Sequence, residues 1–195
     1  MIELILKNIA YLYYPKGVCN IEQKDIYQNS VEYNRLLFLC DNFLKHKDCT
    51  FDYNILLKEF KKNSKLENIR DVTLAHWQDR AISLEVDYII DDKLNKLCIN
   101  LSMIIPFFNI YVLENQIELN PYKWITLPQR NKNLEENQYK DLIKKTSTLI
   151  ESTIGFRKFP ENLSSLVIPD LSFNDIRFGN FTFYNAFFLN ENKLG

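Results

Sequence analysis

The sequence predicts a single α+β domain: a helical N-terminal third, a central antiparallel β-meander, a long C-terminal helix and a final strand. Two observations carry this. Apolar residues recur at helical spacing before residue 60 and again between Glu135 and Ile154, and between Val72 and Glu114 the period falls toward two. Helices and strands thus occupy separate stretches of chain, the pattern of α+β domains.

In chain order, Ile2, Ile5, Ile9 and Leu12 mark a first helix, expected to end at the breaker Pro15-Lys16-Gly17. Asn29 or Ser30 is placed to cap a second, whose apolar stripe is Tyr33, Leu36, Leu37, Cys40 and Leu44. Thr50 or Asp52 caps a third, with Phe51, Ile55, Leu56 and Phe60 on its buried side. The β-rich middle reads as a strand through Ala81, Leu84, Val86 and Tyr88, a hairpin loop at Asp91-Asp92-Lys93-Leu94-Asn95, and a strand from Lys96 to Ile105. After Pro106 comes a third strand, Phe107 to Glu114. Tyr139, Leu142, Ile143, Thr146, Leu149 and Ile150 stripe the long helix, and Gly155 supplies its stop. The aromatic run FGNFTFYNAFFL reads as a last strand or a docking segment.

Composition sets bounds on function. With 46% hydrophobic and 25% charged residues over 195 positions, the chain has enough apolar material for one sizeable core, hence one domain. Its formal net charge of -1 gives no global attraction to nucleic acid or to an anionic membrane, so neither is an expected partner. The N-terminus lacks the form of a secretory signal. The most apolar stretch, LCINLSMIIPFFNIYVL, is broken by Asn100, Ser102, Pro106 and Asn109 and is too short to span a bilayer. A cytoplasmic address is expected, with Cys19, Cys40, Cys49 and Cys98 as free thiols.

The chemistry-bearing motifs are missing. No Gly-rich phosphate loop, G-x-S-x-G or H-E-x-x-H is present, and four glycines are few for a backbone phosphate cradle, so no cofactor is expected. His46, Cys49 and Cys40 cluster without the spacing of a familiar metal site, and no metal is expected. His76 with Asp79 and Arg80 has the composition of an acid–base group, and Glu85, Asp87, Asp91 and Asp92 that of scattered catalytic carboxylates. A surface histidine and turn-forming aspartates explain both more simply, so no catalytic residue is assigned and the chain is not expected to be an enzyme.

Charge is segregated along the chain. Residues 45–70 hold seven basic side chains against four acidic; residues 85–120 hold six acidic against Lys93 and Lys96. An acidic hairpin end of this kind suits a basic protein partner, which makes Asp87, Asp91, Asp92 and Glu114 the candidate contact residues.

Three segments, IAYLYYPKGVCNIEQKDIYQNSVEYNRL, LCINLSMIIPFFNIYVLE and VIPDLSFNDIRFGNFTFYNAFFLNE, together resemble small bacterial proteins encoded beside polymorphic-toxin and contact-dependent secretion genes, which act as immunity proteins. The resemblance implies a cytoplasmic protein of bacterial competition that binds and neutralises one cognate toxin; the acidic hairpin end, read separately, suits a basic one such as a nuclease. It transfers no residue role. Two other expectations stand beside it: a small hydrolase-like enzyme using scattered carboxylates and His76, and a structural or adaptor subunit of a larger assembly.

Overall fold

The computed structural model describes residues 1–47, 52–62, 68–74, 79–90, 93–114, 129–130 and 137–190. The α+β expectation holds. Helices α1 (Ile2–Ala10), α2 (Lys24–Gln28), α3 (Val31–Lys45) and α4 (Tyr53–Lys62) precede strands β1 (Asn68–Asp71), β2 (Ala81–Ile90), β3 (Lys93–Ser102), β4 (Phe107–Glu114) and β5 (Gln129–Arg130). Helix α5 (Asn137–Ile154), strand β6 (Arg157–Lys158) and the short helices α6 (Glu161–Ser164) and α7 (Phe183–Phe187) follow.

The predicted caps form where the chemistry allows. Ser30 Oγ accepts from the Tyr33 amide at 3.2 Å and starts α3. Gly155, at φ +72°, stops α5 in the left-handed conformation that a side chain would strain, while its amide donates to the Glu151 carbonyl at 3.2 Å. Helix α1 ends at Ala10, short of Pro15, and the chain continues in turns to Tyr14. In α4, Tyr53, Leu56 and Phe60 are buried, whereas Ile55, expected inside, is exposed; Phe51 lies outside the described residues.

The meander is antiparallel as predicted and gains edges that periodicity did not show. Strand order is β1-β2-β3-β4-β5, and β6 joins β4 in parallel through Phe107↔Arg157. Strand β1 is four mostly exposed residues, too short and polar to announce itself. Register aligns Glu85 with Cys98 and Cys98 with Tyr111, so alternate residues of three strands share each face. Ile82, Leu84 and Val86, Leu97, Ile99 and Leu101, and Phe108, Ile110 and Val112 make one face, all buried. They belong to one core with Leu56 and Phe60 of α4 and Ile143 and Ile150 of α5.

The tail corrects the expected final strand. FGNFTFYNAFFL closes as helix α7, because Thr182 Oγ1 accepts from the Asn185 amide (3.2 Å) and Asn185 Oδ1 from the Thr182 amide (2.9 Å), a reciprocal cap that commits the segment to a helical turn. Its docking role is the part of the reading that survives. Tyr14 Oη donates to the Ala186 carbonyl and Tyr27 Oη to that of Ser172, each at 2.7 Å, fastening the tail to the N-terminal helices.

Arg80 is fully buried where sheet and tail meet. A desolvated guanidinium is costly unless its donors are satisfied. Here Nε and Nη2 donate to the Asn185 carbonyl at 3.1 and 2.6 Å, and the group lies 4.6 Å from the centre of the Phe173 ring. Desolvation in the same region pushes the Cys40 thiol up to about 11, with the Arg80 charge working in the opposite sense. Cys19, Cys40 and Cys98 are buried thiols that form no disulfide; Cys49 lies outside the described residues.

Candidate functional site

Of the acidic candidates, Asp87 sits on β2, and the structure gives it a partner. Arg70 of β1 donates through Nη2 to Asp87 Oδ1 at 3.0 Å and to Glu85 Oε2 at 3.3 Å, and Lys96 Nζ reaches the same Glu85 oxygen at 3.0 Å. The register puts Arg70 opposite Glu85 and Asp87 opposite Lys96, so the network follows from strand pairing. Glu114 ends β4, paired with Asn95, one cross-strand row beyond Asp87 and Lys96. Asp91 and Asp92 lie outside the described residues, as does His76. Among the described residues, no three His, Cys, Asp or Glu side chains are placed to hold a metal ion, and no helix is long and apolar enough to cross a membrane.

A second acidic side chain ties the basic segment to the sheet. Desolvation raises the Asp71 carboxyl, but hydrogen bonds from Lys47 (2.7 Å), the Thr73 hydroxyl (2.6 Å) and amide (3.1 Å), and Tyr53 (2.9 Å) outweigh it and hold the group below the usual carboxylate value. The end of α3 and the start of α4 are thereby pinned to the end of β1.

The other face of the meander carries Ser83, Glu85 and Asp87, Lys96, Cys98, Asn100 and Ser102, and Asn109 and Tyr111. Though polar, much of it is shut away from solvent, with Ser83, Cys98, Asn100, Ser102, Asn109 and Tyr111 all buried. Asn100 Nδ2 donates to Tyr184 Oη at 3.0 Å, which holds α7 against this face. Beside that contact a groove of about 940 Å³ opens between the strands and residues 174–190 of the tail. Its walls include Asp79, Glu85 and Asp175, and the last of these is exposed.

No protein-family model, curated protein or solved structure matches the chain. Function must therefore be argued from the surfaces themselves.

The third surface is apolar. Of the Ile2, Ile5, Ile9 and Leu12 stripe that announced α1, Ile9 packs partly against the core and the other three are exposed. Leu6, Ala10 and Tyr14 are buried, while Ile5 is 51% exposed, Leu4 64%, and Ile2 and Leu12 nearly half. Arg35 Nη1 donates to the Leu12 carbonyl at 2.8 Å and so brings α3 alongside the end of α1. One turn to either side of Arg35, Val31 and Phe38 point outward, Phe38 at 74% exposure. The N-terminal helices thus present large apolar side chains to solvent, Ile2, Leu4 and Ile5 on α1 and Val31 and Phe38 on α3, with the Arg35 hydrogen bond linking α3 to the turn after α1.

The sequence reading missed the groove and this surface for different reasons. The groove's signal is the polar alternation Ser83/Glu85 and Asn100/Ser102 inside apolar strands, which reads equally well as an exposed sheet face. The stripe was seen, but periodicity does not say which side of a helix is covered.

Proposed function

We propose that this chain is a binding protein, not an enzyme, and that it captures and neutralises one protein partner in the manner of an immunity protein and its toxin. The observation that carries this reading is the α1–α3 surface. Ile5, Leu12 and Phe38 are among the large apolar side chains left exposed, and apolar anchors beside charged residues are the usual energetic centre of a protein interface. Charge on the hairpin supports a basic partner. Since Arg70 and Lys96 already engage Asp87 and Glu85, the acidic contact falls more on Asp91, Asp92 and Glu114 than on Asp87.

A neighbouring gene that encodes a toxin-like domain would supply the partner for the test. The double change Ile5→Asp with Phe38→Asp should weaken capture by roughly thirtyfold or more, the scale of a hot-spot loss. Because both side chains face solvent, the melting temperature should stay close to that of the unaltered protein. Unchanged affinity in a folded double variant would remove α1–α3 as the contact. Reversal of Asp91 and Asp92 to lysine should slow association at low salt; unchanged rates would remove the acidic contact.

A further inference from the structure

Helix α1 has a second apolar side that the fold leaves open. At 3.6 residues per turn, Leu4, Ile5, Asn8 and Leu12 follow one line along the helix, opposite the buried Leu6 and Ala10. Leu12 keeps its place because the chain stays in helical turns past Ala10: its amide donates to the Ile9 carbonyl and that of Tyr14 to the Ala10 carbonyl, each at 3.0 Å. All four side chains on the line are exposed. The charged residues of the helix, Glu3 and Lys7, lie off it, toward the side of Leu6 and Ala10, and the Lys7 ammonium sits 5.7 Å from the centre of the Tyr11 ring.

The line is symmetric about Asn8, which decides among occupants. Leu4 precedes Asn8 by one turn and Leu12 follows it by one. A two-fold axis through Asn8 therefore sets two copies of α1 antiparallel, with Leu4 of each on Leu12 of the other. The two Asn8 carboxamides meet at the axis, where each offers a donor and an acceptor, as a lone polar residue does when it fixes register between paired helices. No like charges are brought together, because neither Glu3 nor Lys7 is on the line. A lipid surface fits less well. Helices that lie in a membrane interface are rich in Lys and Arg on the polar side, whereas α1 has one lysine against one glutamate and a carboxamide amid its exposed apolar residues.

Area sets the strength of the pairing. Leu4, Ile5 and Leu12, with Ile2 beside them, leave on the order of 400 Å² open. That is about half of what each partner contributes to a standard interface, so the pair should be reversible.

We propose that the chain self-associates through α1 as a reversible, antiparallel two-fold dimer with Asn8 on the axis. Because α1 belongs to the surface proposed above for capture, the dimer is, on that reading, the form that a captured partner must displace. The pairing itself needs no partner, so the two ideas fail separately. A chain that dimerises and captures nothing loses the earlier reading alone; one that captures its partner and is monomeric by itself loses this one alone.

The experiment is sedimentation equilibrium of the full chain alone. The apparent mass should rise from 23.3 kDa toward twice that value between roughly 10 µM and 1 mM. Asn8→Asp and Asn8→Lys each place like charges on the axis and should weaken the dimer roughly tenfold or more. Mixed in equal amounts, the two variants should pair again, to within about threefold of the unaltered chain. Position 8 is exposed, so both should melt close to the unaltered protein. Leu4→Asp gives an independent check at the other contact and should also weaken the dimer roughly tenfold. A chain that stays monomeric to 1 mM overturns the proposal, as does a dimer that both charged variants leave intact or a mixture that pairs no better than either variant alone.

Discussion

On one side of the meander Ile82, Leu84 and Val86 meet Leu97, Ile99 and Leu101; on the other, Ser83 and Glu85 meet Asn100 and Cys98. Most residues on both sides are buried, yet the two faces answer to different physics. The apolar side is held by area and close packing, which are non-directional, so what matters at each position is volume. The polar side is held by individual donors and acceptors, and each that lacks a partner is a cost until something supplies one. The first face fixes the fold, and the second seats the tail through the Asn100–Tyr184 hydrogen bond.

Three substitutions separate the two kinds of burial. Ile99→Ala, at the centre of the apolar face, should cost about 3 to 4 kcal/mol by the lost transfer energy and the cavity left behind, read as a large fall in the denaturation midpoint. A loss under about 1 kcal/mol would mean that the face is looser than its burial implies. Asn100→Ala should cost less, about 1 to 2 kcal/mol, because Tyr184 Oη loses the Asn100 donor while the tail keeps its other ties. The smallest effect belongs to Ser83→Ala, which removes an unpartnered hydroxyl and should shift stability by no more than about 0.5 kcal/mol in either direction. A cost of about 1 kcal/mol or more there would show that the hydroxyl finds a partner in solution, and would bring the two faces closer in kind.

How far the sequence foretold this depends on how local each feature is. Helices α3 and α5 were legible because the stripe that announces each is the side that packs, as with Leu36 and Cys40 or Ile143 and Ile150. Helix α1 is apolar on two sides; the spacing showed a helix but not that Leu6 and Ala10 face inward while Ile2 and Ile5 face out. The run around Phe183 has no period, and a short buried helix cannot be told from a strand until its cap is recognised. The charge map misled in one respect. Arg70 was counted with a basic segment and Glu85 with an acidic one, and β1–β2 pairing sets them face to face, so part of the apparent segregation cancels inside the protein. The groove was least visible, since its walls come from residues more than 100 positions apart, such as Glu85 and Asn190.

The anchoring of the tail bears on how the molecule is made. The hydroxyls of Tyr14 and Tyr27 find their acceptors 172 and 145 residues further along, and the Arg80 side chain donates to a carbonyl 105 residues away. During synthesis the N-terminal helices leave the ribosome long before residues 170–188 exist, and the entropy of closing so long a loop is met only when both ends are free to meet. The nascent chain must therefore wait with Tyr14, Tyr27 and Arg80 lacking these native partners. Such late, high-contact-order closure slows folding and prolongs the interval in which apolar surface is open to misassociation.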